Sequence, residues 1–248
     1  MASTSFSASI GKVLLVSDDA AAIGQITESL QRLAVSVQVC HEVAAALDLV
    51  NQRKFEAVMV DCRLGERATT FLEKVRQSAS NQTAVTFAIS DSQDESSAAF
   101  RAGSSFVLAR PLTADAISRT INAAYGLIVR ERRRYFRCPI MIPVAMQYKG
   151  EPEVSGQTVN VSERGMALSI PVALSPGNEV TVQFTLPDLP PIAALSKVCW
   201  SNEKGQAGLL FLSLSATESS NLQGWLARQL EKQLPSSVAE KFRQPDRS

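Results

Sequence analysis

The stretch RERRRYFRCP, residues Arg130–Pro139, packs five arginines into eight positions with two aromatic side chains among them. A guanidinium forks onto phosphate oxygens or onto guanine O6 and N7, and its flat face stacks on a purine. The 248-residue chain has 25 Lys and Arg against 24 Asp and Glu, a net charge of +1. That balance excludes a protein that coats nucleic acid with its whole surface, so polyanion binding is confined to this cluster. Arg133 and Arg137 have RxxxR spacing, and Arg134 shares the run, which leaves the register open. Further along, NVSERG supplies an amide at Asn160, a hydroxyl at Ser162, and at Gly165 a residue that permits positive φ or close backbone approach. Arg130 and Arg132 are expected to face solvent or to complement the C-terminal dipole of a preceding helix.

A second group of reactive side chains is acidic. Asp18 and Asp19 follow the apolar run KVLLV, and Asp61 ends another, EAVMVD. Carboxylates at neighbouring strand ends suit a hard divalent cation, and one beside such a cation can accept a phosphoryl group. His41 is the sole histidine, so His-based triads and multi-His metal sites lack support. Cys40, Cys62, Cys138 and Cys199 form no CxxC pair, which predicts small buried hydrophobes in a reducing compartment. No positioned base accompanies the arginines, and the expectation is a protein that is not an enzyme.

The first half must position the acids. KVLLV, VSVQV, EAVMVD, AVTFAI and SFVLA read as strands. Between them, helical spacing recurs at Ile23, Ile26, Leu30 and Leu33, then at Val43, Leu47 and Val50, then at Phe71, Leu72 and Val75. ESSAAFRAG is a fourth helix closed by Gly103, and Thr113 N-caps a fifth lined by Ile117, Ile121 and Ile128. This alternation predicts an α/β doubly wound five-stranded parallel sheet, with ligands at the strands' carboxyl ends. From Pro139 the period changes to two. IMIPVAMQY, GQTVNV, GMALSI, VTVQFTL, ALSKVCW and AGLLFLSL predict a small antiparallel β-barrel. Turns are expected at Lys149-Gly150, Pro176-Gly177, Pro187–Pro191 and Lys204-Gly205. A C-terminal helix follows, with Ser215 and Glu218 at capping-box spacing and Leu222, Trp225, Leu226 and Leu230 in one stripe.

The expected organisation is a disordered tail at 1–10, an α/β domain at 11–127, an Arg-rich linker at 128–138, a barrel domain at 139–233 and a polar tail at 234–248. MASTSFSASI lacks the basic and apolar regions of a signal peptide. No apolar run approaches the roughly 20 residues of a membrane helix. The cytoplasm is the expected location.

Two resemblances sharpen these expectations. VLLVSDD, VMVDCRL and AGSSFVLARP resemble the receiver domain of two-component response regulators over roughly Gly11 to Tyr125. The resemblance implies Asp61 as phosphoacceptor and Asp18, with Asp19, as magnesium-binding acids. Ser17 stands where the family has its first acid, Arg110 replaces the lysine, Ile89 the switch hydroxyl with Ser90 adjacent, and the proline after Asp61 is missing. The expectation is therefore a degenerate receiver that works without phosphorylation.

RxxxR followed by [D/N]xSxxG at the start of a barrel resembles the PilZ domain, a receptor for cyclic di-GMP, over roughly Arg130 to Leu230. It implies Arg133, Arg134, Arg137, Asn160, Ser162 and Gly165 as ligand-binding residues. The implied function is a cyclic di-GMP receptor whose ligand orders a mobile arginine arm and reorients the receiver-like domain. The alternative is an adaptor whose two degenerate domains only bind proteins. No helix-turn-helix or zinc pattern appears, so DNA is not an expected partner; the downstream protein partner is open.

Overall fold

The computed structural model describes residues 9–148 and 152–234. The Lys149-Gly150 turn, most of the N-terminal tail and the C-terminal tail from residue 235 lie outside the described residues. Ile10, expected in the tail, is fully buried and donates its N–H to the Ala34 carbonyl at 2.9 Å. The chain forms two compact units, one of them up to Arg132 and the other Arg133–Lys232.

In the first unit, β1 (Gly11–Val16), β2 (Val35–Cys40), β3 (Ala57–Asp61), β4 (Val85–Ser90) and β5 (Phe106–Ala109) form a parallel sheet in the order β2-β1-β3-β4-β5. Helices α1 (Ala20–Gln31), α2 (Val43–Gln52), α3 (Glu66–Gln77), α4 (Gln93–Arg101) and α5 (Ala114–Tyr135) alternate with the strands. β3 and β4 are buried at every residue because both sheet faces are covered. Val13, Leu15, Met59 and Phe87 pack with Ile26, Leu30, Ile117, Ile121 and Ile128 of α1 and α5. Leu14, Val16, Val58 and Val60 pack with Val50, Phe71, Leu72 and Val75 of α2 and α3. Alternation along each strand thus feeds two cores. Gly103 ends α4 at φ 101°, and Thr113 Oγ1 accepts from the Ala116 N–H at 3.2 Å as the cap of α5.

The second unit contains β6 (Arg137–Pro139), β7 (Pro143–Gln147), β8 (Val154–Ser162), β9 (Gly165–Ser169), β10 (Glu179–Phe184), β11 (Ile192–Ser201), β12 (Gln206–Ser213) and α6 (Ala216–Glu231). The order β8-β7-β10-β11-β12-β9, with β9 pairing back onto β8, closes a six-stranded antiparallel barrel; β6 pairs with Asn160–Ser162 of β8, further along the edge that β7 occupies at Val154–Gln157. Val180, Val182, Phe184 and Leu186 point inward, each at most 2% exposed. The run expected as one strand from Ile140 is broken before Pro143, and the Thr158 hydroxyl fills the break: it accepts from the Ile142 N–H and donates to the Ile140 carbonyl. The capping box forms, and Leu222, Trp225, Leu226 and Leu230 are buried along α6. Three cysteines are buried as expected, whereas Cys199 lies exposed on the outer barrel face. Beside it, Trp200 is 46% exposed, its indole laid over Gly208 of β12, where a Cβ would meet Nε1 at 2.0 Å.

Candidate functional site

Two groups of side chains were expected to do chemistry, one in each unit. In the first, the ends of β1, β3, β4 and β5 bring together Ser17, Asp19, Asp61, Arg63, Asp91 and Arg110. Asp61 is fully buried. Its Oδ1 accepts from Arg110 Nη1 and from the Arg63 N–H, both at 3.1 Å. Its Oδ2 accepts from Arg110 Nη2 at 2.7 Å and from the Ser17 hydroxyl at 2.8 Å. Asp19 Oδ1 caps α1, accepting from the N–H groups of Ala21 at 3.0 Å and Ala22 at 3.1 Å. Its Oδ2 accepts from Arg110 at 2.9 Å and from Arg63 at 3.0 Å. Arg63 also grips both Asp91 oxygens, at 2.7 Å and 3.1 Å.

The electrostatics follow from this chain of alternating charges. Arg110 is held well above its ordinary value, first by its hydrogen bonds to Asp61. The Ala22 N–H, then Arg110, holds Asp19 below the usual carboxylate range, and Arg63 does the same for Asp91. Burial pushes the Cys62 thiol up to about 11, so it stays neutral beside Asp61.

A magnesium ion does not fit this arrangement. Each oxygen of Asp61 and Asp19 already receives two hydrogen bonds, which uses the lone pairs a hard cation would need. Asp18, expected as a metal ligand, is exposed and outside the network. Ser17 contributes a hydroxyl and no charge. Ile89 is buried in the core, and the Ser90 hydroxyl is engaged with Ser96 at 2.8 Å. Among the described residues no group of three or more His, Cys, Asp or Glu is placed to hold a metal. Sequence reasoning missed Arg63 and Asp91; their position at the ends of β3 and β4 was the available signal.

In the second unit, β6 and β8 pair antiparallel, with Arg137 opposite Ser162 and Pro139 opposite Asn160. Paired residues share a face, and so do residues two apart on a strand. Arg137, Asn160 and Ser162 therefore lie on one face of this ladder, with Cβ atoms roughly 4.5–5.5 Å apart for the direct pair and 7–8 Å for the diagonal. Arg137 is exposed, with no ion-pair partner among the described residues. Asn160 Oδ1 is buried and has no hydrogen-bond partner. Ser162 is 6% exposed and donates to the Gly165 carbonyl at 2.9 Å, which leaves it only acceptor capacity. Gly165 keeps its φ outside the left-handed region; it is glycine because a Cβ would lie 2.0 Å from the Leu209 carbonyl oxygen of β12. Without a Cβ it lets β9 and β12 approach closely. Arg133 and Arg134 stand in the last turn of α5, and Arg134 lies over the Tyr135 ring at 5.9 Å. Arg132, expected to face solvent or to complement the helix dipole, stands near the C-terminal end of α5 and approaches the buried Glu56 at 3.8 Å.

With the geometry in place, the two units define a signalling protein of a recognisable build. Residues 13–122 match the family model of the response regulator receiver domain, and residues 131–228 match that of the PilZ domain. The chain joins one receiver domain to one PilZ domain. Similar solved structures include the receiver domain of a sensor histidine kinase from Pseudomonas aeruginosa PAO1 (20% identity, 47% of this chain and 98% of that chain, TM-score 0.43). A response regulator from Thermotoga maritima has 15% identity over 47% of this chain and 96% of that chain, with a TM-score of 0.42. The inhibitor of motility from Bacillus subtilis has 19% identity over 39% of this chain and 50% of that chain, with a TM-score of 0.35. No curated protein matches the chain. No helix among the described residues is long and apolar enough to cross a membrane.

Proposed function

We propose that this protein is a cyclic di-GMP effector whose receiver domain works without phosphoryl transfer. Arg133, Arg134 and Arg137 would hold the ligand's phosphates and guanines, and Asn160 would take a guanine N–H. The observation that carries the reading is the β6–β8 register. It sets Arg137 beside Ser162 and Asn160 on one face, where the orphaned Asn160 Oδ1 awaits a donor. A buried acceptor left without a partner costs about 1–3 kcal/mol, which a guanine N–H recovers on binding. Bound ligand neutralises the arginines and reorients the receiver domain.

The saturated carboxylates of Asp19 and Asp61 support the second half of the reading. Arg110 acts there as a built-in counter-ion, and an incoming cation or phosphoryl group would have to displace it. Calorimetric titration with cyclic di-GMP is the test, repeated on Arg133→Ala, Arg137→Ala and Asn160→Ala. Each arginine variant should bind at least about tenfold more weakly, the loss of roughly one charge-assisted bond, and Asn160→Ala about fivefold more weakly, the loss of a neutral one. No heat with wild-type protein would leave the adaptor reading in its place.

A further inference from the structure

Helix α5 buries Ile117, Ile121, Ala124 and Ile128 as an ordinary amphipathic helix does. Toward its end the buried residues become charged. Glu131 is 7% exposed, and its Oε2 accepts from Lys54 Nζ at 3.0 Å and from the Thr83 hydroxyl at 2.9 Å. Arg132 follows, with Nη1 at 3.8 Å from Glu56 Oε1. Glu56 is 3% exposed and accepts from the Lys12 N–H at 2.6 Å. Arg132 Nε is buried with no partner, so this second tie is incompletely satisfied.

Simple adhesion does not call for such an arrangement. Apolar side chains would hold a helix end at no desolvation cost, whereas buried ion pairs fix one geometry at the expense of stability. What needs fixing comes next in the chain, because Arg133 and Arg134 occupy the same helical turn. Helix ends fray, and like charges four apart, such as Arg130 and Arg134, weaken the turn further.

We propose that Glu131 and Glu56 are positioning residues for the ligand arginines. They tie residues 131 and 132 into the receiver unit, keep the next turn helical, and so present Arg133 and Arg134 on an already formed turn of α5 before ligand arrives. Affinity for ligand then depends on receiver residues that never touch it, because an arm that must first order itself binds more weakly by the fraction of time it is ordered. The inference rests on the cyclic di-GMP reading and names the regulation of that site.

The experiment compares wild type with Glu131→Gln, Lys54→Met and the charge-swapped pair Lys54→Glu/Glu131→Lys. It reads hydrogen exchange of the α5 amides in the free protein and calorimetric affinity for cyclic di-GMP. In the single variants the amides of Arg133–Tyr135 should exchange faster and affinity should fall about fivefold, with recovery of both in the swapped pair. Should Lys54→Met fail to fold, Thr83→Ala removes the hydroxyl bond to Glu131, leaves the Lys54 ion pair and carries the same comparison. Faster exchange with affinity held within about twofold overturns the positioning role. Unchanged exchange overturns the anchor itself. Absence of binding by wild type would strike the proposed function, and the exchange measurement alone would then decide whether the anchor holds the helix end.

Discussion

Replacing Arg110 by alanine tests how the receiver pocket is neutralised. Arg110 is 10% exposed and Asp61 is fully enclosed, joined by two bonds of 2.7 and 3.1 Å. Stripping one partner from a buried ion pair costs about 3–5 kcal/mol, because the other charge is left uncompensated. Asp61 keeps the Ser17 hydroxyl and the Arg63 N–H, so the lower end, about 3 kcal/mol, is expected. At roughly 4 °C per kcal/mol for a domain of this size, the receiver should melt about 12 °C earlier. Magnesium should then stabilise the variant and not the wild type: a ligand at about ten times its Kd adds about 1.4 kcal/mol. Arg110→Lys should recover part of the loss, since a point charge cannot fork across both Asp61 oxygens. Circular dichroism melts with and without magnesium read both effects. A variant melting within about 2 °C of wild type, or a wild type that itself gains from magnesium, would refute the neutralisation argument.

Intact mass after incubation with magnesium and a small phosphodonor should show no phosphoryl increment on Asp61; an increment that disappears in Asp61→Ala would overturn the phosphorylation-independent reading. Gly165→Ala forces a Cβ to 2.0 Å from a backbone oxygen of Leu209 and should cost about 3 kcal/mol in urea unfolding of the barrel. Ser215→Ala removes the hydroxyl that caps α6 at 3.2 Å and should cost about 1 kcal/mol in the same assay. The Ala22 N–H holds Asp19, and Arg63 holds Asp91, below the ordinary aspartate value of about 3.9. Their contribution to receiver stability is therefore present above that value and lost as pH falls through the lower folded values. Melts taken between about pH 3 and 6 should show the loss only at the acid end.

Periodicity made most of the architecture readable. Strands such as Val58–Val60 and Phe87–Ile89 are continuous apolar runs because helices cover both faces, and Val180, Val182 and Phe184 alternate because only one face of a barrel strand is inside. The break between β6 and β7 was not readable from alternation, because a tertiary partner, the Thr158 hydroxyl, satisfies the backbone there. In the receiver pocket, Ser17 and Arg110 were visible as departures from a pattern. That Arg110 and Arg63 fill the pocket themselves depends on reach across strands, which sequence spacing does not encode. Gly165 shows the reverse: its type was read as conformational freedom or room for ligand, and the barrel uses it for strand approach.

Trp200 and Trp225 are the chain's two tryptophans, and both sit in the PilZ unit. Trp200 is 46% exposed on the outer barrel face, while Trp225 is buried at 3% on α6. Indole emission consequently arises in that unit alone. A quencher in solution should darken the outer indole and spare the inner one, so a single spectrum separates loosening of the α6 docking from disturbance of the barrel wall.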